Sequence, residues 1–248
     1  MKNSEFKSRI FTVIGTISIM AYVNPTWATP TQDTFSPVKD TQVPSGLEYT
    51  PKQPPIEDPN LFKGKQVAIL ASHGVEESEI TYPYEFLIGR GATVDILVPE
   101  WTKEGIVASK FLKPTLFVKA SSTFNEAMAK NYDLLILTGG AWNAQVVRSD
   151  SQAVELVSKH FHRGRALAAI CAGSSILINA GISKGRTLTG SPVIRTDLEN
   201  SGAHYIDQAK VINGNLLTSR SPNDLPEFVE GLQQLLSTDE HGDGYSHD

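Results

Sequence analysis

The sequence predicts an α/β protein with a mostly parallel central sheet, on three observations. Short apolar runs rich in branched residues alternate with segments of helical period. The runs are apolar throughout rather than at every second residue, and glycines close the intervening helical segments. Strands apolar on both faces are covered on both faces, the situation of a parallel sheet between two helix layers.

The elements follow in order from Lys65. Gln66-Val-Ala-Ile-Leu-Ala71 is the first buried strand. Ile80, Tyr84, Leu87 and Ile88 recur at helical spacing, and Gly89 and Gly91 end that helix. Thr93–Val98 and Asp133–Leu137 read as further strands. Val154, Val157 and Phe161 mark one face of a helix that leads into the strand Ala166–Ile170. Leu225, Phe228, Val229, Leu232 and Leu236 form an amphipathic C-terminal helix. Residues 105–120 and 203–219 read as hairpins or strand additions, and the chain carries no internal repeat.

Composition bounds the class. Of 248 residues, 40% are hydrophobic and 20% charged, enough to bury one sizeable core. The formal charge is −5 with no basic run, which argues against a nucleic-acid partner. Lys2, Lys7 and Arg9 precede an apolar stretch from Ile10 to Val23, and Thr26-Trp-Ala28 follows a break at Asn24-Pro25. That is the pattern of a cleavable secretory signal over residues 1–28, cut after Ala28, giving a periplasmic or secreted protein with no membrane attachment after cleavage. The stretch is shorter than a membrane span needs. Residues 29–61 hold seven of the 14 prolines among polar residues and read as a disordered linker. The folded domain is expected over 62–237, with a polar tail at 238–248.

Cys171 is the only cysteine, so no internal disulfide can form in an oxidising compartment. The apolar strand Arg165-Ala-Leu-Ala-Ala-Ile170 runs directly into it, and Ala172-Gly-Ser-Ser175 and a helical stretch follow. Strand, nucleophile, small residues and helix make a nucleophile elbow. N–H groups at the helix start should favour thiolate. Gly139 and Gly140 end the strand Asp133–Thr138 at the carboxyl edge of the sheet, where open parallel sheets bind ligands. Together with Ala172 they could offer N–H groups to an oxyanion. Glu76, Glu77 and Glu79 follow the first strand; the first two suit a helix start. Glu79 lies where a helix could turn it towards the thiol.

These segments together resemble the DJ-1/PfpI (ThiJ/PfpI) family, within the class I glutamine amidotransferase-like superfamily. The matching stretches are Val67–Ala71 with Glu76–Glu79, Asp133–Gly140, Ala168–Gly173, Gly185–Thr189, Val211–Arg220 and Pro222–Phe228. The resemblance implies a flavodoxin-like three-layer sandwich, a homodimer or larger homo-oligomer, Cys171 as reactive residue and Glu79 as the carboxyl sharing its proton. It departs where peptidase-like members carry a histidine after the cysteine, here Ala172. Other active members place a histidine or tyrosine before a later proline, here Ser191. No histidine begins the His-x-Glu pattern of a glutaminase, so that activity is excluded.

His73, at the end of the first strand, is the candidate proton carrier or pocket residue, with Ser191, Trp142 and Asn143. His204 lies in a strand away from the cysteine. His160 and His162 read as a solvated helix face, and His241 and His247 as part of the tail. The expected function is attack of Cys171 on small reactive carbonyls, glyoxalase- or deglycase-like, with no metal or organic cofactor. The alternatives are an oxidative-stress sensor or holdase and, more weakly, a cysteine peptidase acting on peptides.

Overall fold

The computed structural model describes residues 34–38 and 51–238. The expected signal segment and the tail beyond 238 lie outside the described residues. Seven strands form the central sheet in the order Lys210–Asn213, Leu216–Ser219, Ala166–Ile170, Leu134–Leu137, Gln66–Leu70, Thr93–Val98, Ser122–Thr123. Every neighbouring pair is parallel except the first, an antiparallel hairpin at the edge. Residues 203–219 therefore supply a hairpin, as expected, and its second strand also extends the parallel core.

Side-chain alternation sorts the two apolar layers. Val67, Ile69, Leu134, Ile136 and Ile170 face the helices Glu77–Ile88 and Leu225–Thr238. Ala68, Leu70, Leu135, Leu137 and Leu167 face the helices Ala141–Ser149 and Ser151–His162. All ten are fully buried, and each larger side chain among them contributes about 1.5–3 kcal/mol. The result is the three-layer sandwich the sequence predicts. No helix among the described residues is long and apolar enough to cross a membrane.

A second sheet stands beside the first. The hairpin Gly105–Lys110 and Lys113–Lys119 pairs on one side with Val75–Glu76 and on the other with Phe35–Pro37. Those last residues lie within the stretch read as linker, so part of it is an added edge strand. Phe35 packs edge-on to Tyr84 with ring centroids 5.1 Å apart.

Residues 51–61 also depart from the linker reading, because they are docked on the helix Glu77–Ile88. Tyr82 Oη donates to the Lys52 carbonyl at 2.8 Å, and Gln53 Nε2 donates to the Tyr82 carbonyl at 2.8 Å. Arg90, only 5% exposed, donates to the carbonyls of Pro55 at 2.8 Å and Pro54 at 3.3 Å. Its guanidinium lies 4.0 Å from the centre of the Phe86 ring. Prolines have no N–H to offer a ladder, so their carbonyls are the groups that need partners. Side chains of the helix and of Arg90 just beyond it supply the donors. Composition suggested a tether; the donors make it a strap.

His160 also differs from expectation. It is buried, and its Nε2 donates to the Ala166 carbonyl at 2.8 Å, anchoring the start of the strand that leads to the cysteine. His162 stays exposed.

Candidate active site

The strand Ala166–Ile170 is buried along its length and ends abruptly at Cys171, whose φ is +58°. A non-glycine residue in the left-handed region costs of order 1 kcal/mol or more and persists only where its surroundings enforce it. Here Ser191 N–H donates to the Cys171 carbonyl at 3.1 Å. Gly173 packs against the carbonyls of Leu137 and Thr138, with no room for a Cβ. The residues after the cysteine form a 3₁₀ turn, Cys171–Ser175, before the short helix Ile176–Asn179. The elbow is thus built as the sequence predicts, with Cys171 half-buried at its tip.

Glu79 enters from the first turn of the helix Glu77–Ile88 and is completely buried. Its Oε2 accepts the Gly139 N–H at 2.6 Å. Its Oε1 has no hydrogen-bond partner among the described residues. The carboxyl and the thiol side chain meet at Gly139, close enough for each to shift the ionisation of the other. Burial pushes the Glu79 pKa up to about 8, opposed by the Gly139 N–H and by the thiol. Burial also pushes the Cys171 thiol up, and the charge of Glu79 adds to this; the N–H groups of Ala172 and Gly140 oppose it. The expected lowering of the thiol by the helix start is therefore outweighed. Desolvation of the sulfur and a neighbouring carboxylate both favour the neutral thiol more than two N–H groups favour its anion.

The two glycines have different jobs. Gly139 gives its N–H to Glu79 rather than to an oxyanion. A Cβ at Gly139 would sit 2.7 Å from both Cys171 Cβ and Glu79 Oε2, so the close approach of acid and thiol requires glycine. Gly140, at φ +92°, directs its N–H at the sulfur alongside that of Ala172. The N–H pair available near the reacting atom is thus Gly140 and Ala172.

Asn143 does not line the pocket. It is fully buried as a clip, with Oδ1 accepting the Ser72 N–H at 2.5 Å. Its Nδ2 donates to the carbonyls of Thr138 and Gly139, both at 2.8 Å. This fixes the end of the first strand against the glycine turn. Ser191 acts through its backbone, as described. His73 uses Nδ1 to accept the Val107 N–H at 2.9 Å, and Gly74 N–H returns a bond to the Val107 carbonyl at 2.8 Å. Its ring is therefore neutral with the hydrogen on Nε2, and burial lowers its pKa further. The described hydrogen bonds tie it to the hairpin and not to the thiol.

Glu76 and Glu77 also serve the hairpin. Glu76 Oε2 accepts the Phe111 N–H at 3.4 Å, and Glu77 pairs with Lys110 at 3.3 Å. Trp142 is 62% exposed and stands just beyond the glycines. Sequence reasoning passed over Trp101, its neighbour across a cleft, because nothing in the local pattern pairs two residues 41 positions apart.

A mostly parallel α/β sandwich with a cysteine at a strained strand-to-helix turn and a buried carboxyl beside it defines a class of α/β proteins. The chain belongs within it to the DJ-1/PfpI family, whose model matches residues 65–234. It is 36% identical over 171 residues to Deglycase PfpI of Pyrococcus furiosus, covering 69% of this chain and 99% of that one. It is 32% identical over 172 residues to a putative cysteine protease, YraA, of Bacillus subtilis, covering 69% and 98%. Among solved structures, Schizosaccharomyces pombe DJ-1 superposes with a TM-score of 0.61 at 22% identity, over 73% of this chain and all of that one. A two-domain protein of Anabaena variabilis with DJ-1/ThiJ/PfpI-like and ferritin-like domains gives 0.65 at 32% identity, over 74% of this chain and 50% of that one. Because the family match starts at residue 65, the edge strand and strap precede the region it covers.

Proposed function

We propose that this protein is an exported thiol enzyme that converts small α-oxoaldehydes, free or as adducts on amines, to 2-hydroxy acids. The observation that carries the reading is the buried Glu79 carboxyl, one oxygen without a partner, beside a thiol that also faces the N–H groups of Gly140 and Ala172. The deglycase names of relatives at 34–36% identity support it.

In the singly ionised pair, the Glu79 carboxylate takes the thiol proton and the sulfur attacks the aldehyde carbon. A C–S bond forms, and Glu79 returns the proton to the carbonyl oxygen, giving a hemithioacetal; from an amine adduct the C–N bond breaks as the C–S bond forms, and the amine leaves with that proton. The N–H groups of Gly140 and Ala172 hold the negative charge first on sulfur and then on oxygen. Glu79 then moves the aldehyde hydrogen from C1 to C2 while the hydroxyl proton passes from the C1 oxygen to the C2 oxygen, leaving a 2-hydroxyacyl thioester that water hydrolyses to the acid and free thiol. Overall one water is added and the redox change is internal, so no external oxidant, reductant or cofactor is needed. A peptidase reading is weaker: Ala172 stands where a histidine would serve, and His73 Nδ1 is committed to Val107.

The test is conversion of an α-oxoaldehyde to its 2-hydroxy acid, followed by proton NMR. The wild type should form product and Cys171→Ser should not; equal rates would sink the proposal. Export is tested by the N-terminal sequence of the protein recovered outside the cytoplasm, expected to begin at Thr29.

A further inference from the structure

At the amino ends of the central strands, away from the cysteine, lies a cavity of about 250 Å³. Four of its lining residues are cations, Lys130, Lys159, Arg163 and Arg165, and none is an acid. That runs against the balance of a chain with 22 basic and 27 acidic residues. The cations come from separate segments. Lys130 precedes the strand Leu134–Leu137, Lys159 lies in the helix Ser151–His162, and Arg163 and Arg165 lead from that helix into the strand Ala166–Ile170. The dipole of a helix carboxyl end accounts for Lys159 and Arg163, but not for Lys130 or Arg165. Arg165 and Cys171 flank the strand Ala166–Ile170 at opposite ends, about 20 Å apart along an extended chain.

These charges are open to a ligand. Lys130 pairs with Asp95 at 3.0 Å, Lys159 with Glu155 at 2.5 Å and Arg165 with Asp133 at 3.7 Å, and all three acids lie outside the cavity lining. Pairs in contact with water hold their partners only weakly. Among the described residues Arg163 forms no ion pair. The floor is built from buried Tyr132, Leu156 and His160. Tyr132 Oη donates to Asp95 and His160 Nε2 to the Ala166 carbonyl, both at 2.8 Å. Burial lowers the His160 pKa, and Arg165 and Arg163 lower it further against the opposing Ala166 carbonyl and Asp133, so this ring stays neutral beneath the cations. Guanidinium forks take phosphate oxygens two at a time, and ammonium groups add point charges. A cavity below the roughly 300 Å³ of the smallest drug-sized sites suits a small ligand.

We propose that this basic cavity is a binding site for a small phosphate dianion, either inorganic phosphate or a phosphate monoester with a short carbon body. Two guanidinium and two ammonium groups around one cavity favour a dianion over a carboxylate of single charge. The apolar floor at Leu156 and the Tyr132 ring gives a carbon body something to lie on. The assignment does not depend on the carbonyl chemistry at Cys171.

The test is equilibrium dialysis of the full chain against radiolabelled inorganic phosphate at fixed ionic strength, with unlabelled glycerol phosphate or acetate as competitor. Phosphate should bind saturably at one site per chain, and acetate should compete at least about tenfold more weakly. Stronger competition by glycerol phosphate than by unlabelled phosphate assigns the site to a monoester; equal or weaker competition assigns it to the phosphate group alone. Arg163→Gln and Arg165→Gln, both at exposed positions, should each weaken binding about tenfold or more. Lys184→Gln, an exposed cation remote from the cavity lining, should leave it unchanged. Absence of saturable binding, acetate competing as well as phosphate, or equal loss in Lys184→Gln would each overturn the assignment. So would binding that survives both arginine substitutions but is lost when Cys171 is alkylated, because the anion would then sit at the thiol.

Discussion

Replacing Glu79 by glutamine removes one titration from the folded state, and its effect on stability can be worked out. Burial moves this carboxyl from 4.5 to about 8. Between those values the unfolded chain has released the proton while the native state keeps it. Native protein then binds more protons, and stability falls as pH rises, by about 1.4 kcal/mol per pH unit. Over the whole interval the cost approaches roughly 5 kcal/mol, a third or more of the stability of a typical domain. His73 and His160, both lowered by burial, add slopes of the opposite sign. The informative quantity is therefore the difference between wild type and Glu79→Gln. Urea denaturation at pH 5.5 and 7.5 should show the wild type losing about 3 kcal/mol more than the variant between the two. Equal pH slopes would refute the claim that Glu79 is buried with a retained proton.

Other predictions follow from the same geometry. Because Glu79 must be ionised to accept the thiol proton, kcat/KM for an oxoaldehyde should rise with pH through about 8; a fall over that range would exclude it as the base. Gly139→Ala forces a Cβ onto Cys171 and Glu79, and should abolish turnover while lowering Tm by several degrees in a thermal scan. Asn143→Ala leaves the buried Ser72 N–H without its partner, a cost of about 1–3 kcal/mol, measurable by urea denaturation. Arg90→Met strips the Pro54 and Pro55 carbonyls of their donor, and trypsin should then cut faster after Lys52, as read by intact mass.

The cysteine elbow was legible because it is local: an apolar strand, the nucleophile, small residues and a helix lie consecutively in the chain. Glu79 was legible only as a residue on the right side of a turn; its burial against Gly139 depends on packing between strands far apart in sequence. The same long-range packing reversed the expected ionisation of the thiol, since the short 3₁₀ turn after Cys171 offers few N–H groups against desolvation. The strap stayed hidden because prolines and polar residues suggest an extended tether whether or not a helix supplies donors to their carbonyls. Arg90, which supplies them, carries no signal in its neighbours. The hairpin tip was equally silent. Phe111 and Leu112 both adopt positive φ, +45° and +71°, where Asn-Gly would be the usual choice. Asn143 was placed near the pocket by position alone; its three-way clip needed the folded turn.

The most direct test of the account is oxoaldehyde turnover by Glu79→Gln, normalised to the fraction of Cys171 that a small alkylating agent modifies in the same sample. Cys171 is the only thiol, so intact mass reads that fraction unambiguously. If Glu79 carries the proton, the variant should still be alkylated at its cysteine yet turn over about 10²- to 10⁴-fold more slowly than wild type. Turnover within about threefold of wild type, with the thiol equally reactive, would contradict the account, because the thiol would then work without the carboxyl.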